Sequence, residues 1–374
     1  MPEPMIRTGA FTWTPKQSPE PLVVPLLGRL EGATNPESAD MLLDGEHFVF
    51  GNCTMSLDHP ARSLGHVLIY MKDEAFISLG RIGPDKKVEL VKRKVADHLT
   101  ATLGVDVLKA DNAAVGAGVA FIAEGGHPVA PRDKADLIED FRPRLLAVDA
   151  LGKGVVGEIP LGDDSVIGRK YHGLEQPNGV AADRFGNLYV GDIAHGGVPG
   201  CLSAIYCIPR AAIPGLMAGD DAAGAMVSRI LMPGHVNGLS ASPNDDTIWA
   251  VSCSVDCPVG GGIYQINPMD FHFGRLPEPR VRGIGAGILD GVGLTKRGSL
   301  LTSTPRDGGL HIFLPNGDHR IVVTKDGPAT SLAPDFNVCY PKALGGEPAV
   351  LVPDLAMAST PGQASVAMLD LSGY

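Results

Sequence analysis

The sequence is poor in aromatic residues: Phe, Trp and Tyr make 5% of 374 positions, with two tryptophans. Hydrophobic content of 44% still supplies a large core, which must therefore be built mainly from Val, Leu, Ile and Ala. Cationic residues are also scarce, with 31 Lys and Arg against 42 Asp and Glu and a net charge of −11. No basic stripe interrupts the acidic balance, so a nucleic-acid partner is not expected. The densest basic run, KKVELVKRK from Lys86, alternates with apolar residues and reads as a solvated strand edge, where lysine discourages edge pairing. No apolar run reaches membrane-spanning length, so no membrane partner is expected. The first residues, MPEPMIRTGAFTWTPKQSPEP, lack the basic end and apolar stretch of a signal peptide. The expectation is a cytoplasmic protein. The six cysteines are Cys53, Cys201, Cys207, Cys253, Cys257 and Cys339. Their spacings match neither a zinc ribbon nor a redox pair. Reduced, buried thiols are expected in that compartment, with a Cys253–Cys257 bridge or metal use as the alternative.

Helical periodicity is scarce too. The candidates are DKADLIEDF near 133–141 and the stretch from Pro209 to Met226. Turn formers abound instead: 48 Gly and 31 Pro make about a fifth of the chain. They separate short apolar or alternating runs, among them HFVFGNC, GVAFIAE, RLLAVDA, NLYVGDI, TIWAVSC, GLHIFLP and AVLVPDL, each of which reads as a strand.

Three lines repeat one order: QPNGVAADRFGNLYVGD from Gln176, HVNGLSASPNDDTIWAVS from His235 and LDGVGLTKRGSLLTSTP from Leu289. An Asn-Gly or Asp-Gly comes first, then small or apolar residues, a turn, and a second strand about ten residues on. Four antiparallel strands per unit, at a period of about 40 to 60 residues, is a propeller blade. Shared among six units, the chain allows about 62 residues each. The expected fold is all-β, a single six-bladed propeller over 31–374. An extended segment, 1–30, precedes it, and loop insertions fall near 125–143 and 210–226.

Asn-Gly and Asp-Gly are common turn dipeptides. Three occurrences in register suggest more, because the innermost strand of each blade lines the central channel. Asn178, Asn237 and Asp290 would then converge on the axis. Glu37 in NPESADMLLDGEHFVFGN stands at a similar distance before a strand and is the fourth candidate. All four offer oxygen, which suits one hard cation, calcium before others; softer metals would call for His or Cys.

These lines resemble the blade motifs of the senescence marker protein, gluconolactonase and luciferin-regenerating enzyme family. A similar pattern occurs in its relative diisopropyl fluorophosphatase. The resemblance runs from about Asn35 to Leu355 and implies a six-bladed propeller with one axial divalent metal, usually calcium. The family's metal-binding Glu, Asn, Asn and Asp match Glu37, Asn178, Asn237 and Asp290. The sequence also departs from the pattern. Sugar-lactone members carry Arg two residues before the first Asn, where this chain has Gln176. The fluorophosphatase relative binds a second metal through a His at the position of Ala333, so no second calcium of that kind is expected.

An axial cation polarises a carbonyl or phosphoryl oxygen. Asp290 is both a candidate ligand and the candidate base or nucleophile, kept ionised beside the cation. Gln176, Glu175, His127, His195 and His235 are candidate substrate contacts near the mouth, with His172 also in reach. The leading expectation is a hydrolase opening a small lactone or ester. A metal-assisted lyase or isomerase, or a phosphotriesterase, would use the same site. A binding platform without chemistry is the third possibility, because fold alone does not give function.

Overall fold

The phrase DRFGN folds into a tight turn for reasons visible in its residues. Asp183 Oδ1 accepts the backbone N–H groups of Phe185 and Asn187, each at 2.9 Å. Gly186 takes a φ of +86°, which costs a glycine nothing. The turn joins the strands Pro177–Ala182 and Leu188–Asp192. The hairpin around Gly298 repeats it, with Ser299 donating its N–H to Thr295 Oγ1 at 3.1 Å.

The computed structural model describes residues 20–53, 55–56, 69–70, 74–125, 142–174, 176–193, 202–253, 262–274, 277, 279–282, 289–304, 309–330, 333–355 and 364–374. Six antiparallel blades follow one another along the chain. The first contains Ala39–Met41, His47–Asn52, Ala75–Ile82 and Val88–Leu99. The second contains Thr102–Val107, Ala120–Glu124, Arg144–Asp149 and Gly154–Pro160. The third adds Leu202–Ile208 and Ser228–Pro233 to the hairpin above. The fourth is His235–Ala241, Ile248–Cys253, Gly262–Ile266 and Pro279–Arg282. The fifth is Val292–Leu294, Leu300–Thr304, Gly309–Phe313 and His319–Val323. The sixth runs Asn337–Cys339, Ala349–Asp354 and Ala364–Asp370, and its outer strand is Leu26–Ala33 from the other end of the chain.

That last pairing corrects the expected boundary. Residues 26–30 belong to the sixth blade, and Leu22–Val23 pairs in parallel with the outer strand of the fifth. A ring of blades would otherwise meet at a seam held by side chains alone. Building one sheet from both ends of the chain replaces that seam with backbone hydrogen bonds. The insertion near 210–226 forms two short helices, Ile213–Met217 and Asp221–Met226. The second is capped by Asp220, whose carboxylate accepts the N–H of Ala222 at 2.9 Å. A further helix, Val166–Tyr171, had no sequence expectation. The insertion at 126–141, with its helix candidate, lies outside the described residues. Among the described residues no helix is long and apolar enough to cross a membrane.

Each blade is packed between two others, so its middle strands are covered on both faces. Leu188–Asp192, Ile248–Cys253, Leu300–Thr304 and Ala349–Asp354 are buried at every position. Strands covered on both faces tend to read as apolar runs rather than alternations, LLTST at Leu300–Thr304 being the exception with its buried Thr302, Ser303 and Thr304. Each buried aliphatic side chain contributes about 1.5–3 kcal/mol, which is how a chain so low in aromatics holds together. Residues 88–94 of the KKVELVKRK run lie in Val88–Leu99, the largely exposed outer strand of the first blade.

Polar ties cross every junction between blades near the axis. Val107 N–H reaches Asp40 Oδ2 at 2.8 Å, and Ala182 N–H reaches Asp106 Oδ2 at 2.8 Å. Val236 N–H donates to Ser203 Oγ at 2.9 Å, and Gly238 N–H to the Asp290 carbonyl at 2.6 Å. Ser303 Oγ donates to the Pro334 carbonyl at 2.5 Å, and Ser38 Oγ to Asp335 Oδ2 at 3.0 Å.

The inner strands approach so closely that a side chain would not fit between them. A Cβ at Gly179 would lie 2.2 Å from the Asn237 carbonyl oxygen. Backbone cannot move aside as a side-chain tip can. Gly179→Ala should therefore cost about 1–3 kcal/mol in chemical denaturation. Gly116→Ala, whose new Cβ would meet nothing nearer than 3.6 Å, should stay within about 0.5 kcal/mol of the parent.

The fifth blade buries two histidines, with His311 Nδ1 and His319 Nε2 at 2.9 Å. Burial, then the neighbouring His311, lowers the His319 pKa to about 4. A histidine depressed below its ordinary value of about 6.5 contributes stability above that value. That stability is lost as pH falls toward 4. The unfolding free energy should thus drop between pH 6.5 and 4, and less steeply in His319→Gln.

Candidate functional site

The three repeated dipeptides are not turns. Asn178-Gly179 and Asn237-Gly238 sit inside the innermost strands of the third and fourth blades, where the pairing register shifts. A bulge of this kind re-aims a side chain. None of Gly179, Gly238 and Gly291 has a positive φ. Their glycine character answers to packing instead. A Cβ at Gly104 would meet the Asn178 carbonyl at 2.3 Å, one at Gly179 the Asn237 carbonyl at 2.2 Å, and one at Gly238 the Asp290 carbonyl at 2.3 Å. Each glycine thus receives the backbone of the next blade's polar residue, which sets Asn178, Asn237 and Asp290 in one register. The same offset places Glu37 in the first blade: Val107 and Ala182 donate to Asp40 and Asp106, three residues beyond Glu37 and Leu103. Leu103, buried, fills the position in the second blade.

All four polar residues are buried, with Asp290 9% exposed. Asn178 Nδ2 donates to Asn237 Oδ1 at 2.8 Å. Asn237 Nδ2 in turn faces Cys253 Sγ at 4.0 Å. The Cys253 thiol donates to the Leu289 carbonyl at 2.7 Å, directly before Asp290. Burial, then Asp290, pushes that thiol up to about 12, so it stays protonated. Cys53 lies on the Glu37 side: burial and the Glu37 charge raise its pKa as well, and it donates to the Asn35 carbonyl at 3.2 Å. Cys53, Cys207, Cys253 and Cys339 are free thiols. Cys257 lies outside the described residues, and so does the question of its pairing.

Asp290 carries the tension of the site. Its Oδ1 is buried and accepts no hydrogen bond. Burial, then the Glu37 charge, pushes its pKa well above the carboxylate range. Asp335, absent from the sequence expectation, adds to the field. It accepts hydrogen bonds from Ser38 Oγ and Phe336 N–H, yet burial and Asp290 still raise it. Its sequence signal was faint, because the sixth blade has Pro334-Asp335, just before its inner strand, where the third, fourth and fifth have Asn or Asp followed by Gly.

Gln176 is 8% exposed. Its N–H donates to Asp192 Oδ1 at 2.8 Å, while its own Oε1 is buried and unpartnered. It stands two residues before Asn178, just before the strand begins. His235 is half-buried, with Nδ1 3.0 Å from the Ile193 carbonyl, so its ring is tied to backbone of the third blade. His172 is exposed at the end of its helix. His127, His195 and Glu175 lie outside the described residues.

No family model and no curated protein matches the chain. Solved structures do. A PQQ-bound aldose sugar dehydrogenase from Streptomyces coelicolor aligns with a TM-score of 0.54 at 13% identity, over 96% of this chain and 99% of that one. A protein assigned as a gluconolactonase aligns with a TM-score of 0.51 at 14% identity, over 96% and 98%. A gluconolactonase from Xanthomonas campestris gives 0.49 at 15% identity, over 98% and 99%. The chain is a six-bladed β-propeller. At these identities the likeness is one of fold, and it spans nearly the whole chain.

Among the described residues no three His, Cys, Asp or Glu side chains gather as a metal cluster. The axial set is of another kind, two carboxylates and two amides. It fits a hard cation on chemical grounds: every donor is oxygen, and Asp290 holds a buried acceptor that no protein group satisfies.

The cation-free protein should therefore be strained at Asp290. An acid whose pKa is raised on folding costs stability as pH rises above its unfolded value. In chelator at pH 7, Asp290→Asn should gain about 1–2 kcal/mol over the parent by chemical denaturation. The gain should shrink as pH falls toward 4, where both forms are neutral.

Proposed function

We propose that the chain is a divalent-cation-dependent hydrolase, calcium being the preferred ion, that opens a small lactone or ester. The observation that carries this reading is the buried, unpartnered Asp290 Oδ1, set beside Glu37 in a ring of oxygen donors. Glu37, Asn178, Asn237 and Asp290 would hold the ion. When bound, it would polarise the substrate carbonyl and stabilise the charge that develops on its oxygen.

The remaining roles belong to the protein. The two amides orient each other through the 2.8 Å hydrogen bond and leave little rotational freedom at the axis. Asp290 serves as the base that takes a proton from water, or as the nucleophile. The fold alone pushes Asp290 toward its neutral form, and a cation acts in the opposite sense, favouring the carboxylate. A bound ion would thus favour the ionised Asp290 that a base requires. Gln176 would meet the substrate with a neutral amide, which suits an uncharged hydroxyl or amide donor better than an anionic group. The fold likeness to a protein assigned as a gluconolactonase supports a lactone before other esters.

The test pairs elemental analysis after dialysis with a lactone and aryl-ester panel, on the parent and Asp290→Ala. One calcium per chain, lost in the variant, and turnover that falls more than about a hundredfold with chelator or with the variant are expected. Bound calcium without ester or lactone turnover would move the assignment to lyase, isomerase or phosphotriesterase chemistry. Absence of bound metal in the parent would leave a propeller used as a binding platform.

A further inference from the structure

Cys253 ends the second strand of the fourth blade and is buried. Its sulfur stands between two candidate ligands from adjacent blades. As a donor it reaches the Leu289 carbonyl at 2.7 Å, one residue before Asp290. As an acceptor it faces Asn237 Nδ2 at 4.0 Å. The second contact is long and weak, and it acts in the same sense as the shorter bond that Asn237 accepts from Asn178. With nitrogen toward sulfur, Oδ1 turns to the ring, where it meets Asn178 Nδ2 at 2.8 Å. The first contact pins the backbone that delivers Asp290, whose Oδ1 is left buried and unpartnered toward a ligand.

We infer that Cys253 is a positioning residue of the cation site, fixing the amide orientation of Asn237 and the approach of Asp290 through one thiol. The inference rests on the cation-site reading and adds to it a group that touches neither ion nor substrate. Groups that orient metal ligands are worth about 10- to 100-fold in metal affinity. Alanine at 253 removes donor and acceptor together. Serine keeps both on a shorter bond.

Calcium titration of the full chain, stripped with chelator and followed by calorimetry, tests this without reference to activity. Cys253→Ala should bind calcium about tenfold more weakly than the parent or worse. Cys253→Ser should recover most of the affinity. Cys339→Ala, a buried thiol at the end of the sixth blade's innermost strand and in the core it shares with the first blade, should bind as the parent does. Thermal unfolding in chelator shows whether each variant is folded, and it separates a cavity effect, common to both alanine variants, from the loss specific to residue 253. Parental affinity in Cys253→Ala, or equal losses in the Ser and Ala variants, would overturn the inference while leaving the cation site standing. A parent that binds no calcium would overturn both.

Discussion

The structure depends on how closely six inner strands can approach one axis. At three successive junctions the Cα of a glycine lies against the carbonyl of the next blade's polar residue, with no room for a methyl group. This contact does two things at once. It draws the sheets close enough for their apolar middle strands to be covered on both faces. It also locks the polar residue of each blade in the same register, so that Asn178, Asn237 and Asp290 cannot drift from one another without opening the ring. Fold and site therefore share a single geometric cause.

The ring is costly in electrostatic terms. Asp290, Asp335 and Asp40 are all pushed above their ordinary range, burial being the leading cause in each. At the level of Asp40 and Asp106 the fold supplies its own cation. Lys109 Nζ donates to the Ala182 carbonyl at 2.8 Å and lies 3.4 Å from Asp106 Oδ1. Burial works against its charge, but Asp106 and Asp40 outweigh burial and its pKa is raised. Asp290 Oδ1, by contrast, is buried and accepts no hydrogen bond. Uncompensated buried carboxylates are expensive, and proteins keep them where a ligand offsets the cost. The contrast between Asp106, which has Lys109 beside it, and Asp290 is what supports the proposed cation.

Much of the fold was legible because the blade hairpins obey local rules. The DRFGN turn needs its Asp, its Gly and nothing distant. The middle strands announce themselves as apolar runs. The strand Leu26–Ala33 was not legible, since its partner, Ala364–Asp370, lies at the far end of the chain and LLGRLEGA carries no clear alternation. The helix Val166–Tyr171 was missed because six residues are too short for a periodicity to show. At the site, the repeated phrase exposed Asn178, Asn237 and Asp290. Asp335 stayed hidden in an atypical blade, and Cys253 stood out only as a bridge or metal thiol beside Cys257.

The sequence by itself determined the repeat, the strand-rich class and the matching positions of Asn178, Asn237 and Asp290 in it. Those properties are written in residue type and spacing. Only the tertiary structure decided why Gly follows Asn178, Asn237 and Asp290, which ends of the chain share a blade, and that Asp290 Oδ1 lacks a partner. Those are facts about contacts between blades distant in sequence. Packing six sheets around an axis sets them, and no local pattern of residues records them.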